Sequence, residues 1–263
     1  MTQPTLLAVA SGKGGVGKTW LAITLAHALA ASGRRVLLVD ADFGLGNVDI
    51  QLGLMPEHDL SAVLACTIPV EDAVMHHAGG FDIIPGRSGA AGLLGLPVYR
   101  LDTLLDALRG LAYDLILLDL GSGLTPTLRH LAATADRLLV VITDEPTSLT
   151  DGYAVLKLYT QDRAAAPTAQ VVVNQTVSPA YGQRVFNTLT QASQRYLGTA
   201  PNLLGTIRRD ERVRDAIRRQ MPLLQRHPAC NAAHDVEQIA ERLTEVAFPR
   251  MLTSADAAQE RRA

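Results

Sequence analysis

A run of residues near the start of the chain has the types and spacing to hold phosphate. Gly12-Lys13-Gly14-Gly15-Val16-Gly17-Lys18-Thr19 satisfies G-x-x-x-x-G-K-[ST] at every fixed position. Glycines let successive backbone N–H groups converge on an anion, and a helix N-terminus behind them adds partial positive charge. The context fits, with the apolar run LLAVA before the loop and TWLAITLAHALA after it. In such a loop Lys18 reaches the β- and γ-phosphates and the Thr19 hydroxyl ligates Mg²⁺. Trp20 follows directly and is grouped with the nucleotide-contacting residues Gly12 to Thr19. The alternative is a glycine-rich turn with no ligand.

Two apolar runs end in acids. Val39-Asp40-Ala41-Asp42 places both carboxylates on one side of an extended chain, in a strand read as lying beside the first. In a doubly wound sheet that position lies over the phosphates. The other reading of these acids is an Asx turn at a strand end. Leu115-Ile116-Leu117-Leu118-Asp119 has the form of a strand whose terminal aspartate holds Mg²⁺ through water. Gly121 and Gly123 leave the loop behind it free to move. Gln170-Val171-Val172-Val173-Asn174 ends in an amide that can cap a turn or pair with the edge of adenine. The residues alone leave both roles open.

The elements that must position these groups alternate along the chain. Unalternated apolar runs at Leu6–Ala10, Arg35–Asp40, Phe81–Pro85, Leu115–Asp119, Leu138–Ile142, Gln170–Asn174 and Leu203–Ile207 read as strands buried on both faces. Helical patterns at Leu21–Ala31, Leu101–Leu111 and Ser148–Gln161 lie between them. This alternation predicts an α/β fold, a doubly wound, mostly parallel sheet with helices on both faces. Residues 1–253 read as one domain, 254–263 as a flexible tail, and Gly86–Pro97 as a surface loop.

Composition narrows the classes. With 48% hydrophobic and 19% charged residues the chain is not a disordered one, and a net charge of −2 gives no global field toward nucleic acid or anionic lipid. Two cysteines are too few for a disulfide framework or an iron–sulfur cluster. With no signal-like or membrane-spanning run in the sequence, a cytoplasmic protein is expected. The histidines, including His76 and His77, lack metal-ligand spacing and read as surface residues. Lysine occurs only at positions 13, 18 and 157, against 21 arginines. Two of these three lysines share one loop, which marks them as positions needing a compact point charge.

Lys13, directly after the first glycine, is the departure from an ordinary phosphate loop. Here the sequence resembles the deviant-Walker ATPases of the MinD/ParA group, over roughly Leu6 to Leu243. The resemblance implies that ATP or ADP with Mg²⁺ is bound, and that two copies pair face to face on ATP. Lys13 would then act in trans on the partner's phosphates, as an arginine finger does. Asp42 would position or activate the attacking water and help hold the metal with Thr19 and Asp119, while Asp40 would support the metal's shell. Lys13, Lys18 and Asp42 are thus the expected catalytic residues, and the adenine role is favoured for Asn174. Leu120 and Ser122 depart from the group's usual D-T-G-A-G or D-S-P-A-G.

Within the group, DADFGLGNVDIQLGL (40–54), EPTSLTDGYAVLK (145–157), Val185-Phe186 and GTIRRDERVRDAIRRQMPLL (205–224) resemble the flagellar-number regulators of the FlhG/FleN branch. That implies a protein partner in a flagellar, polar or transcriptional system, with localisation at a pole or the inner membrane as an extension. The branch's D-Q-A-x-x-L-R activator helix is not expected, because a strand starts within the first six residues. Val236, Ile239, Ala240, Leu243, Val246 and Ala247 form a helical stripe among Glu237, Glu241 and Glu245, which reads as a core helix rather than a membrane anchor. The arginine-rich tract 208–226 has no aromatic interleaving, so it reads as a solvated face rather than a nucleic-acid surface. Rival readings are a division-site or partition ATPase, a non-hydrolysing ATP sensor, and an amidoligase-like synthase.

Overall fold

The structure is a computed structural model that describes residues 3–86, 96–163 and 169–247. The expected 254–263 tail and most of the Gly86–Pro97 loop lie outside the described residues. The strands are β1 (Thr5–Ser11), β2 (Val36–Ala41), β3 (Met75–His76), β4 (Asp82–Ile84), β5 (Leu115–Ser122), β6 (Arg137–Ile142), β7 (Ala169–Thr176) and β8 (Asn202–Arg208). The helices are α1 (Lys18–Ala31), α2 (Val48–Leu52), α3 (Leu60–Leu64), α4 (Val98–Arg109), α5 (Pro126–Thr134), α6 (Pro146–Asp162), α7 (Pro179–Leu197), α8 (Glu211–Arg218), α9 (Leu223–Arg226) and α10 (Asn231–Ala247).

The strands form one sheet in the order β3-β4-β2-β5-β1-β6-β7-β8. Every pairing is parallel except β3 with β4. The expected doubly wound sheet is therefore present. One detail differs: β5 lies between β1 and β2, so the Asp40 strand is not beside the first strand. The two-residue β3 has too short a pattern to be read from sequence.

Successive side chains of a strand point to opposite faces, and each face meets helices. Leu6, Ala8 and Ala10 join the core under α3 to α7, whereas Leu7 and Val9 join the core under α1 and α8 to α10. This explains why the strands are apolar throughout rather than alternating. Val236, Ile239, Ala240 and Leu243 of α10 pack in that second core as the stripe predicts, whereas Val246, also in the stripe, is exposed at the end of the helix, beyond the core. Arg208 donates to Asp235 through one guanidinium edge, Nε to Oδ2 at 2.9 Å and Nη2 to Oδ1 at 2.7 Å, and Arg242 Nη1 donates to the Leu204 carbonyl at 3.0 Å. Among the described residues no helix is long and apolar enough to cross a membrane.

His77 corrects the reading of the histidine pair as surface. His76 is exposed, but His77 is buried against the Phe81 ring, with ring centroids 4.8 Å apart. The His27 ring also lies near Phe81, with centroids 6.0 Å apart. Burial lowers the pKa of both His27 and His77, and the charges of His27 and His76 lower His77 further. Both are thus held neutral in the fold. Below the ordinary imidazole pKa of about 6.5 the unfolded chain binds protons that the folded chain resists. The contribution of these two imidazoles to stability is therefore full above that pH and declines below it, whereas the buried carboxylates of Asp40 and Asp119, whose pKa values are raised, act in the opposite sense. Urea midpoints of parent and His27→Gln at pH 7.5 and 5.5 isolate the imidazole part: on acidification the parent should lose stability relative to His27→Gln.

Candidate functional site

The loop between β1 and α1 sits at the carboxyl end of the sheet, at the point where the strand order turns outward from β1. Gly15 and Gly17 have φ of 80° and 85°, the left-handed values that let the loop curl. A Cβ on Gly17 would lie 2.5 Å from Asn174 Nδ2. At Gly12 an added Cβ would overlap the Asp151 carbonyl on α6, so the loop begins in direct contact with that helix. Backbone on both sides leaves little room for adjustment. Gly12→Ala is expected to cost about 1–3 kcal/mol in stability, as overpacking does, and to weaken nucleotide binding. Urea denaturation and nucleotide titration test this, with Gly14→Ala, whose Cβ meets only Ser122 Oγ at 3.6 Å, as the mild control.

Asp40 and Asp119 are register partners on β2 and β5, so their carboxylates lie side by side. Lys18 Nζ is 2.8 Å from Asp119 Oδ1, and both side chains are buried. The Thr19 hydroxyl lies beside the same carboxylate. Burial pushes the Asp119 pKa up, while Lys18 and Thr19 oppose the shift. Asp119 Oδ2 is buried with no hydrogen-bond partner. An acceptor oriented and unsatisfied in that way fits a metal-bound water. Lys18, Thr19 and Asp119 are thus brought together as expected.

Asp40 and Asp42 do different things in the free chain. Asp40 Oδ2 accepts the amides of Asn47 and Val48 at 2.8 and 3.0 Å, and its Oδ1 accepts that of Asp42 at 3.2 Å. It fastens the loop after β2 to the start of α2. Burial and the neighbouring Asp119 charge push its pKa up to about 7, against three amide hydrogen bonds that lower it. Asp42 Oδ1 accepts the amides of Gly44 and Leu45 at 3.1 and 3.0 Å, which is the Asx turn. Asp42 also faces Gly121, whose added Cβ would lie 3.1 Å from Asp42 Oδ1. The loop after β2 and the end of β5 therefore meet at Asp42.

Lys13 reaches across to α6 of its own chain. Its Nζ pairs with the Glu145 carboxylate and donates to Thr147 Oγ1 at 3.0 Å. Nothing in the spacing of Lys13 and Glu145, more than a hundred residues apart, joins them in the sequence. Asn174 Nδ2 donates to the Val16 carbonyl at 2.8 Å, and its Oδ1 accepts the Gln175 amide at 2.8 Å. In the free chain Asn174 thus braces the phosphate loop. It also lines a cleft of about 300 Å³ with Gly15, Gly17, Trp20, Ile207, Arg208 and Asp210. Trp20 is buried at its wall, and its Nε1 has no partner. Gln175, at φ 58°, turns its Nε2 to the Gly15 carbonyl at 3.4 Å. Nothing in the local sequence marks that residue.

A complete phosphate loop on β1, an acid-ended β5 beside it and a parallel sheet define a nucleotide-binding P-loop domain. The chain belongs to the CobQ/CobB/MinD/ParA nucleotide binding domain family, whose model matches residues 7–223. It is 35% identical to the antiactivator FleN of Pseudomonas aeruginosa, over 93% of this chain and 88% of that protein. It is 26% identical to the flagellum site-determining protein YlxH of Helicobacter pylori, over 89% and 80%. The fold matches that of the septum site-determining protein MinD complexed with Mg-ADP from Pyrococcus horikoshii, with a TM-score of 0.78, 25% identity, and coverage of 93% of this chain and 98% of that one. The resemblance read from the sequence, to MinD/ParA ATPases and to the FlhG/FleN flagellar regulators, thus holds.

Proposed function

We propose that this chain is an ATP-operated switch that hydrolyses ATP slowly, pairs with a second copy on ATP, and acts through a protein partner on the number or position of flagella or another polar structure. One observation carries the reading most. A second lysine, Lys13, stands in an otherwise complete phosphate loop and is held by Glu145 and Thr147, so a discrete ammonium is available for phosphates other than those Lys18 serves. The likeness to an antiactivator and to a flagellum site-determining protein supports the cellular side of the proposal.

The loop amides and Lys18 would hold the phosphates, and the cleft of Trp20, Asn174 and Ile207 would take the base. Thr19, Asp119 and Asp42 are the residues that would hold Mg²⁺, which supplies charge neutralisation between phosphates when bound. Lys18 would leave Asp119 for the phosphates, exchanging one anionic partner for another. Asp42 would leave the Gly44 and Leu45 amides to orient a water, and Lys13 would leave Glu145 for the phosphates of the second copy. The single chain contains no arginine in the loop to play this part, so unassisted turnover of about 10⁻² s⁻¹ or less is expected.

The domain is proposed to comprise residues 1–253. Titration calorimetry with MgATP and MgADP, followed by phosphate-release kinetics, tests the reading. Nucleotide heat with slow turnover supports it. Binding with no release of phosphate would leave only an ATP sensor, and no heat from either nucleotide would overturn it.

A further inference from the structure

A further cleft, of about 520 Å³, lies between α3, the turn 67–70 and α4. Pockets that take small organic ligands have volumes of about 300–1,000 Å³. No residue of the phosphate loop lines this one, nor do Asp40, Asp42 or Asp119. Its walls are apolar, built from Val63, Ile68, Leu104 and Ala107. Three of them, Val63, Ile68 and Ala107, are only half-buried. Apolar side chains gathered round a concave space and left partly in water favour an occupant with an apolar body.

Among the described residues a single charged side chain lines the cleft, and it is a cation, Arg100. Arg100 Nη1 donates to the Leu64 carbonyl at the end of α3 at 2.7 Å and lies 3.6 Å from Cys66 Sγ. The Tyr99 ring lies beside the guanidinium, its centroid 5.9 Å away. No carboxylate pairs with Arg100 among the described residues. The Leu64 bond fixes the guanidinium in place and leaves it further N–H donors. A fixed cation at the edge of an apolar wall complements an anion on an apolar body, and its planar fork suits a carboxylate. A cationic head would find no acid in the lining to meet it. We propose that this cleft binds a small amphiphilic carboxylate, with its apolar body on Val63, Ile68 and Ala107 and its head on Arg100. The other side of α4 carries Val98 and Leu101, which line the space beside Asp42, Phe43 and Leu45. A ligand that fixes α4 therefore acts on one wall of the Asp42 loop. Any effect on turnover rests on the switch reading, whereas the binding site itself does not.

The test uses the full chain and decanoate below its micelle-forming concentration, with decanol and decylamine as controls of equal length. Calorimetry gives the affinities. Cys66 gives the location, because it lines the cleft and is exposed, whereas Cys230 is buried, so a thiol reagent acting on the folded chain reads Cys66. Decanoate should bind once per chain and slow the modification of Cys66. Decanol should bind about tenfold more weakly, the size of a lost charge-assisted hydrogen bond, and decylamine more weakly still. Arg100→Gln should bring decanoate down to the level of decanol, while Arg100→Lys keeps most of the preference. Ala107→Phe, which fills the cleft, should remove both the heat and the protection. Urea midpoints and nucleotide affinity verify the folding of each variant, and the ligand series on the parent chain needs no variant. Equal affinity for decanoate and decanol would overturn the anion site. Heat without protection of Cys66, or protection that survives Ala107→Phe in a folded chain, would overturn the cleft. Protection that grows with chain concentration alone would overturn it as well, by making the occupant a second copy. A change of ATP turnover with decanoate supports the link through α4. Binding with protection but unchanged turnover would overturn that link and uphold the site.

Discussion

Lys13→Ala is expected to bind ATP as a single chain about as tightly as the parent and to lose turnover by about 10³-fold or more, the range of an in-trans cation on transferring phosphate. The reason is geometric. Lys18 is buried against Asp119 beneath the loop, whereas Lys13 sits on the loop's outer side, half-exposed, on Glu145 and Thr147. Its ammonium would therefore reach phosphate only after leaving α6. The pair with Glu145 is exposed, so breaking it costs little, of the order of 1 kcal/mol or less. A stability loss in Lys13→Ala is accordingly not expected. Lys13→Arg should not restore turnover fully, because a planar guanidinium does not replace a compact ammonium between glycines. Phosphate release, nucleotide titration and urea denaturation on the same preparations check all three statements. Unchanged turnover in Lys13→Ala would remove the in-trans role.

Asp42→Ala is expected to lower turnover by about 10²–10⁴-fold, the usual contribution of a group that orients or deprotonates the attacking water. ATP binding should persist, since the loop amides and Lys18 are untouched. Alanine also removes the acceptor for the Gly44 and Leu45 amides, so it loosens the loop as well as the chemistry. Asp42→Asn separates the two effects. Its amide oxygen can still accept those N–H groups but cannot take a proton. A comparable loss in Asp42→Asn assigns the effect to the carboxylate, whereas near-parent turnover would reduce Asp42 to a turn residue.

The sequence carried the fold well because its strands are continuous apolar runs that only a doubly covered sheet can bury. Leu6–Ala10 and Leu138–Ile142 appear as strands within a residue or two of their observed ends. The α1 helix begins earlier than its apolar pattern, at Lys18, since its first turn serves the loop rather than the core. The place of β5 between β1 and β2 was not legible. Local pattern states that strands are buried, not which strand inserts between two others. His77 was misread because its burial comes from Phe81 and from the turn at Gly80, neither of which is visible in a pair of adjacent histidines.

For the site, spacing alone brought Lys18, Thr19 and Asp119 together, because a strand end and a glycine loop fix where side chains go. Spacing did not show that Lys13 rests on Glu145 and Thr147, more than a hundred residues away in sequence, nor that Asn174 braces Val16. Those are contacts between elements, and a single sequence does not record them. Asp40 is similar. The resemblance implies a place for it in the metal's shell, while its oxygens in the free chain are taken by three amides.

The central claim is that ATP joins two copies through exchanged lysines. Sedimentation of the Asp42→Ala variant with saturating MgATP tests it most directly, since hydrolysis no longer depletes the paired state. The account predicts a dimer with MgATP, a monomer with MgADP, and a monomer with either nucleotide once Lys13→Ala is added. A single-chain species under saturating MgATP, or a dimer indifferent to Lys13, would contradict it.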